Sequence, residues 1–167
     1  MNKKAQIFSS DLILSAFVFT AVLSFVFIIL VNNQIKIENN LKNSDLEAKV
    51  LQITDILIQS PGDPTNWEED TSNVNVIGLA DKDRVLSEEK ILEFLNLDYN
   101  ATREKMNIEG IDFYFVLKEL NEGIVKINGN ETKTGMSPSL NSTQIILVKR
   151  FVLYDEKERI VEFSLWK

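Results

Sequence analysis

Cysteine and histidine are both missing from this 167-residue chain. Without cysteine there is no disulfide and no thiol chemistry, although that absence says nothing about the redox compartment. Without histidine the commonest general base and the commonest transition-metal ligand are gone. A nucleophilic triad would have to use Ser and Lys, and no such pair stands out. There is no P-loop, no dinucleotide fingerprint, no EF-hand spacing and no internal repeat. Positive charge is short as well. The net charge is −7, which argues against nucleic acid as a partner. Lys3, Lys4 and Asp11 leave the first 31 residues at +1, so the remainder carries −8.

What the chain does have is one long apolar run. Leu12 to Val31 contains only Ser15, Thr20 and Ser24 as polar members, and no Gly, Pro or charge. As a helix it would be about 30 Å long, matching a bilayer core. The residues beyond it suffice for one modest domain. Residues 32–59 also lack Pro and Gly. Ile35, Leu41, Leu46, Val50, Ile53 and Leu57, thickened by Ile56 and Ile58, recur at helical spacing. One helix is therefore expected to run on until Ser60-Pro61-Gly62 stops it, its second half offering a stripe for a domain to pack upon.

Three readings of the N-terminus compete. A secretory signal peptide should have a shorter apolar stretch and a small-residue cleavage site, whereas Asn32-Asn33-Gln34 follows here. A signal anchor that is never cleaved fits the composition. The third reading places a processing site ahead of the run. Lys3-Lys4-Ala5 followed by Gln6, then Ser9, Ser10 and Asp11 before the unbroken helix, resembles the class III leader of type IV prepilins, archaeal ones above all. The resemblance implies a leader of residues 1–5, cut between Ala5 and Gln6 by a prepilin peptidase. It also implies that Asp11 offsets the freed amine of a neighbouring subunit. In the family that acid is usually Glu at the fifth mature position, whereas Asp11 would be the sixth. An acid in a first helical turn with Ser9 or Ser10 as N-cap is equally explained by the helix dipole alone.

Pro61-Gly62-Asp63-Pro64-Thr65-Asn66-Trp67 is a rigid turn by composition. With Gly78-Leu79 beyond it, the segment is similar to a loop of archaeal pilin-like surface proteins. Trp67 reads first as a residue capping the core beneath the turn, and second as a binding residue. Ser87 is the expected N-cap of a helix through Ile91, Leu92, Phe94 and Leu95, and Ala101 to Met106 forms a second short helix. Four segments rich in Val, Ile, Phe and Tyr then read as strands: Ile111–Leu120, Gly123–Asn128, Gln144–Tyr154 and Arg159–Trp166. Turns at Asn121-Glu122-Gly123 and Asp155 to Glu158 separate them, and Gly129–Ser142 reads as a long exposed loop.

The expected fold is α+β, with a long N-terminal transmembrane helix packed by an antiparallel β-meander, the ladle of type IV pilins. The expected division is a leader (1–5), an apolar assembly helix (6–31), its continuation (32–60) and an extracytoplasmic domain (61–167). Lysine counts do not orient the chain, because Lys3 and Lys4 on one side face Lys36, Lys42 and Lys49 on the other. Three glycosylation sequons, at Asn100, Asn130 and Asn141, favour an external domain, since only about one is expected by chance.

Glu68-Glu69-Asp70 and Asp81-Lys82-Asp83 offer oxygen ligands for calcium but read as solvated loops. No cofactor, metal or enzyme activity is expected, although paired carboxylates are a spatial matter that sequence leaves open. The expected role is a structural subunit or minor component of a cell-surface filament. Its partners would be copies or related pilin subunits, the prepilin peptidase and the membrane. Phe17, Phe19, Phe25 and Phe27 would pack the assembly helix through shape rather than close backbone approach. The alternative is a monomeric membrane-anchored binding or accessory module.

Overall fold

A computed structural model describes residues 3–139, 142 and 144–167, with side chains described for 11–34 and from Ser44 onward within that range. The chain divides into two compact units, Met1–Ser44 and Asp45–Lys167. The first helix, α1, runs Lys3–Gln59, as the missing Pro and Gly predict. It stops where Pro61 and Gly62 follow, with the Ser60 amide closing the last turn on the Ile56 carbonyl at 3.0 Å.

The second unit begins at Asp45 because the last turns of α1 are part of its core. Leu46, Val50, Ile53, Leu57 and Ile58 are buried at helical spacing. Thr54 lies on the same face, fully buried, and its hydroxyl donates to the Val50 carbonyl at 2.6 Å. Ile35 and Leu41, expected on this stripe, have side chains outside the described residues.

Strands β1 (Ala80–Lys82), β2 (Val85–Leu86), β3 (Asp112–Lys118), β6 (Lys133–Gly135), β7 (Ile145–Tyr154) and β8 (Lys157–Trp166) form one sheet, in the order β1-β2-β7-β8-β3-β6. Strands β4 (Lys126–Ile127) and β5 (Asn130–Glu131) form a separate hairpin. The meander is thus corrected. The C-terminal strand β8 lies between β7 and β3, antiparallel to both, and β2 joins β7 in parallel through Val85 and Leu153. The reason is visible in β8 itself. Val161 to Trp166 are buried without alternation, and a strand covered on both faces belongs in the middle of a sheet.

Gly123–Asn128 is not a full strand. It gives one bridge, Lys118 to Ile124, and then the two residues of β4. The expected long loop Gly129–Ser142 holds β5 and β6, and β6 pairs with β3. Helices α2 (Glu88–Asn96) and α3 (Tyr99–Lys105) stand close to expectation. Ser87 is at the N-cap position of α2, but its hydroxyl donates to the Glu89 carboxylate rather than capping an amide.

Core residues come from α1, from Ile91 and Phe94 of α2, and from the inner sheet face. That face is Phe113, Phe115 and Leu117 on β3, Val161, Phe163 and Leu165 on β8, and Val148 and Val152 on β7. Phe94 meets Phe115 edge-on at 5.2 Å, and Tyr99 stacks on Phe113 at 5.1 Å. At the rim, the Arg150 guanidinium of β7 pairs with Asp55 of α1 at 3.2 Å.

Candidate functional site

Asp11–Gln34 is long and apolar enough to cross a membrane. Among the described residues none of this span is buried, and Phe17 is 72% exposed. Its three hydroxyls make no demand on a partner. Ser15 donates to the Leu12 carbonyl at 3.0 Å, Thr20 to Ala16 at 2.8 Å and Ser24 to Thr20 at 2.8 Å. Such back-bonding lets polar side chains sit in an apolar medium without an unsatisfied proton.

At about 100° per residue, Phe17 and Phe25 lean to one side of the helix and Phe19 and Phe27 to roughly the opposite one. The four do not form one seam. All are exposed. Asp11 is exposed at the N-terminal end of the span. Lys3, Lys4, Ala5 and Gln6 lie on the α1 backbone, and their side chains are outside the described residues.

In the second unit, the turn after α1 is held by two side chains. Trp67 is fully buried, and its indole N–H donates to the Gly78 carbonyl at 2.8 Å. Gly78 is required there, because a Cβ would come within 2.2 Å of the Ser60 carbonyl oxygen. Lys90 of α2, 3% exposed, reaches in from the other side. Its ammonium donates to the carbonyls of Pro61 at 2.8 Å and Thr65 at 2.7 Å, and Glu68 stands 4.0 Å away. Trp67 therefore caps the core, the first of its two readings. Lys90 escaped sequence reasoning, since a lysine in Glu88-Glu89-Lys90 looks like a solvated first turn.

Of the acidic clusters, Asp70 accepts from the Ser72 amide and hydroxyl and from the Asn73 amide group, which together hold its carboxyl below the usual range. Glu69 accepts from Asn66. Among the described residues no three His, Cys, Asp or Glu side chains converge as metal ligands.

The sheet's outer face was not legible beforehand. Glu162 of β8 is buried there between Lys118 of β3 and Lys149 of β7, and Glu122 bridges the same two lysines. Burial pushes the Glu162 carboxyl up, but its hydrogen bonds to Lys149 and Lys118 outweigh that and hold it below the usual range. Beside this cluster Ile145, Leu147, Phe151 and Leu153 of β7 are exposed. A groove of about 200 Å³ lies between α1 and the Lys105–Asn107 turn, with Lys49, Ile53, Ile77 and Met106 among its lining residues.

Two sequon asparagines, Asn100 in the first turn of α3 and Asn130 in β5, are exposed. Asn141 lies outside the described residues. No family model matches the chain, no curated protein matches it, and no solved structure matches it.

Proposed function

We propose that this chain is a pilin-like subunit, major or minor, of a type IV pilus-like cell-surface filament. A prepilin peptidase removes residues 1–5, and the apolar helix then leaves the bilayer to bundle with copies of itself or related subunits. The observation that carries the reading is that, among the described residues, none of the apolar span Asp11–Gln34 is buried. An unburied hydrophobic helix must be covered by lipid or by other helices. Exposed phenylalanines on opposite sides of it suit several neighbours at once. The α+β domain, with a long helix and an antiparallel-rich sheet, is compatible with a pilin-like fold. In this reading the domain faces outward, and Asp11 pairs with the freed amine of Gln6 on a neighbour, because either charge left alone among apolar helices is costly.

The test is the N-terminal sequence of the protein purified from its native membrane or surface. A start at Gln6 supports processing, and a start at Met1 or Asn2 sinks it. Ala5→Leu should then block both cleavage and assembly. Asp11→Ala should leave cleavage intact and reduce filaments seen by electron microscopy. Normal filaments from both variants are incompatible with the proposal.

The exposed strip Ile145, Leu147, Phe151 and Leu153 favours a second reading, a monomeric anchored module that binds another protein through its sheet. An uncleaved N-terminus together with a monomeric state in mild detergent would favour that one.

A further inference from the structure

We infer that sugar transfer to Asn100 and Asn130 has to precede folding of the domain that carries them. A sequon has two working parts: the Asn amide that receives the sugar, and the hydroxyl two residues on that the transferase itself must hold. In the folded domain these parts differ in access. Asn130 is exposed, but Thr132 is 0% exposed. Its hydroxyl donates to the Val125 carbonyl at 2.8 Å, with the Leu117 carbonyl at 3.3 Å. Its amide also donates to Val125, and its carbonyl accepts from the Leu117 amide, each at 3.0 Å. Thr132 thus joins the β4–β5 hairpin to β3, beside the direct bond from the Val125 amide to the Leu117 carbonyl at 2.9 Å. Freeing its hydroxyl means undocking that hairpin and exposing buried Val125 and Ile127.

Asn100 repeats the arrangement in a helix. Thr102 is 2% exposed and its hydroxyl donates to the Asp98 carbonyl at 2.8 Å. The Asp98 carboxylate meanwhile holds the Asn100 and Ala101 amides in the first turn of α3. A hydroxyl committed to the interior cannot also sit in a transferase pocket. Both asparagines point to solvent, so a sugar attached earlier is accommodated afterwards. The constraint falls on the order of events and not on the product.

In the transfer itself the Asn amide nitrogen bonds to the anomeric carbon of a lipid-phosphate-linked oligosaccharide. The carbon–oxygen bond to the phosphate breaks, the lipid phosphate leaves with the electron pair, and one amide proton passes to a base of the transferase. The inference rests on the domain facing the compartment where sugar is transferred, and it is independent of filament assembly.

The experiment uses the full chain with a flexible Asn-Ala-Thr tag added at its C-terminus. One sample is translated into membranes that hold a transferase and a lipid-linked oligosaccharide. The other is made without donor, allowed to fold, and then given both. Site occupancy is read by peptide mass spectrometry. The expected result is modification of Asn100, Asn130 and the tag during translation. On the folded chain the tag should still be modified while occupancy at Asn100 and Asn130 drops about tenfold or more, because the buried hydroxyls are reached only by local opening. Equal occupancy in the two samples overturns the inference. So does a modified tag with Asn100 and Asn130 blank in both. A tag blank in both samples, with the transferase active on an added acceptor peptide, overturns the outward orientation itself and the inference with it.

Discussion

Lys90 and Trp67 show how much one side chain can settle. The turn after α1 has carbonyls at Pro61, Thr65 and Gly78 that face inward, and each accepts a hydrogen bond from one of these two residues. Buried carbonyls without donors are costly. Lys90→Met keeps the length of the side chain but removes its donors, and should lower unfolding stability by about 1–3 kcal/mol in a urea titration. An unchanged midpoint would show that water replaces the ammonium freely. Gly78→Ala should be worse and prevent a stable fold, since its Cβ would meet backbone rather than a movable side chain. Trp67 and Gly78 stood out in the sequence because Trp beside Pro and Gly is conspicuous. Lys90 did not, because burial of an ammonium depends on carbonyls more than twenty residues away.

At the scale of elements, helices were more legible than strands. A helix is announced by local spacing and by what stops it, so α1, α2 and α3 fell near their expected bounds. Strand existence was legible for β3, β7 and β8, but their order was not, because pairing partners lie far apart in sequence. Short strands such as β1, β2, β5 and β6 carry too few residues to display a period of two. The β7–β8 hairpin illustrates both sides. Its turn was expected across Asp155 to Glu158, yet only Asp155 and Glu156 form it, with φ of 52° and 57°. Positive φ at two positions suits Asn and Gly better than Glu. Glu156→Gly should therefore raise stability by about 0.5–1 kcal/mol, read as a higher denaturation midpoint. A lower midpoint would mean that the Glu156 side chain contributes something beyond its backbone.

For the whole molecule, charge sets the range of pH over which the domain holds. The carboxyls of Asp70, Glu122, Glu131 and Glu162 sit below their usual values through hydrogen bonds and neighbouring lysines, Glu162 despite its burial. A depressed carboxyl stabilises the fold above its unfolded pKa, and that contribution disappears as pH falls through the folded value. Melting temperature should be level from neutrality down to about pH 5 and fall below about pH 4. On the alkaline side, burial and then the hydrogen bond to Asp112 push Tyr99 up to about 12, and burial with Glu88 raises Tyr154 as well. Their stabilisation is complete below about pH 10 and is lost as pH rises through the folded values. Ultraviolet absorbance should show these two tyrosines ionising together with unfolding. Ionisation near pH 10 with the fold intact would contradict the packing around them.

The apolar span, the unbroken α1, the turn that ends it and the α+β class were all determined by the sequence itself, because each depends on neighbours within a few residues. The sequon motifs were equally plain as motifs. Long-range packing is what places β8 between β7 and β3, holds Glu162 between two lysines and turns the hydroxyls of Thr102 and Thr132 inward. Burial and strand pairing join residues distant along the chain, and no local pattern carries that information.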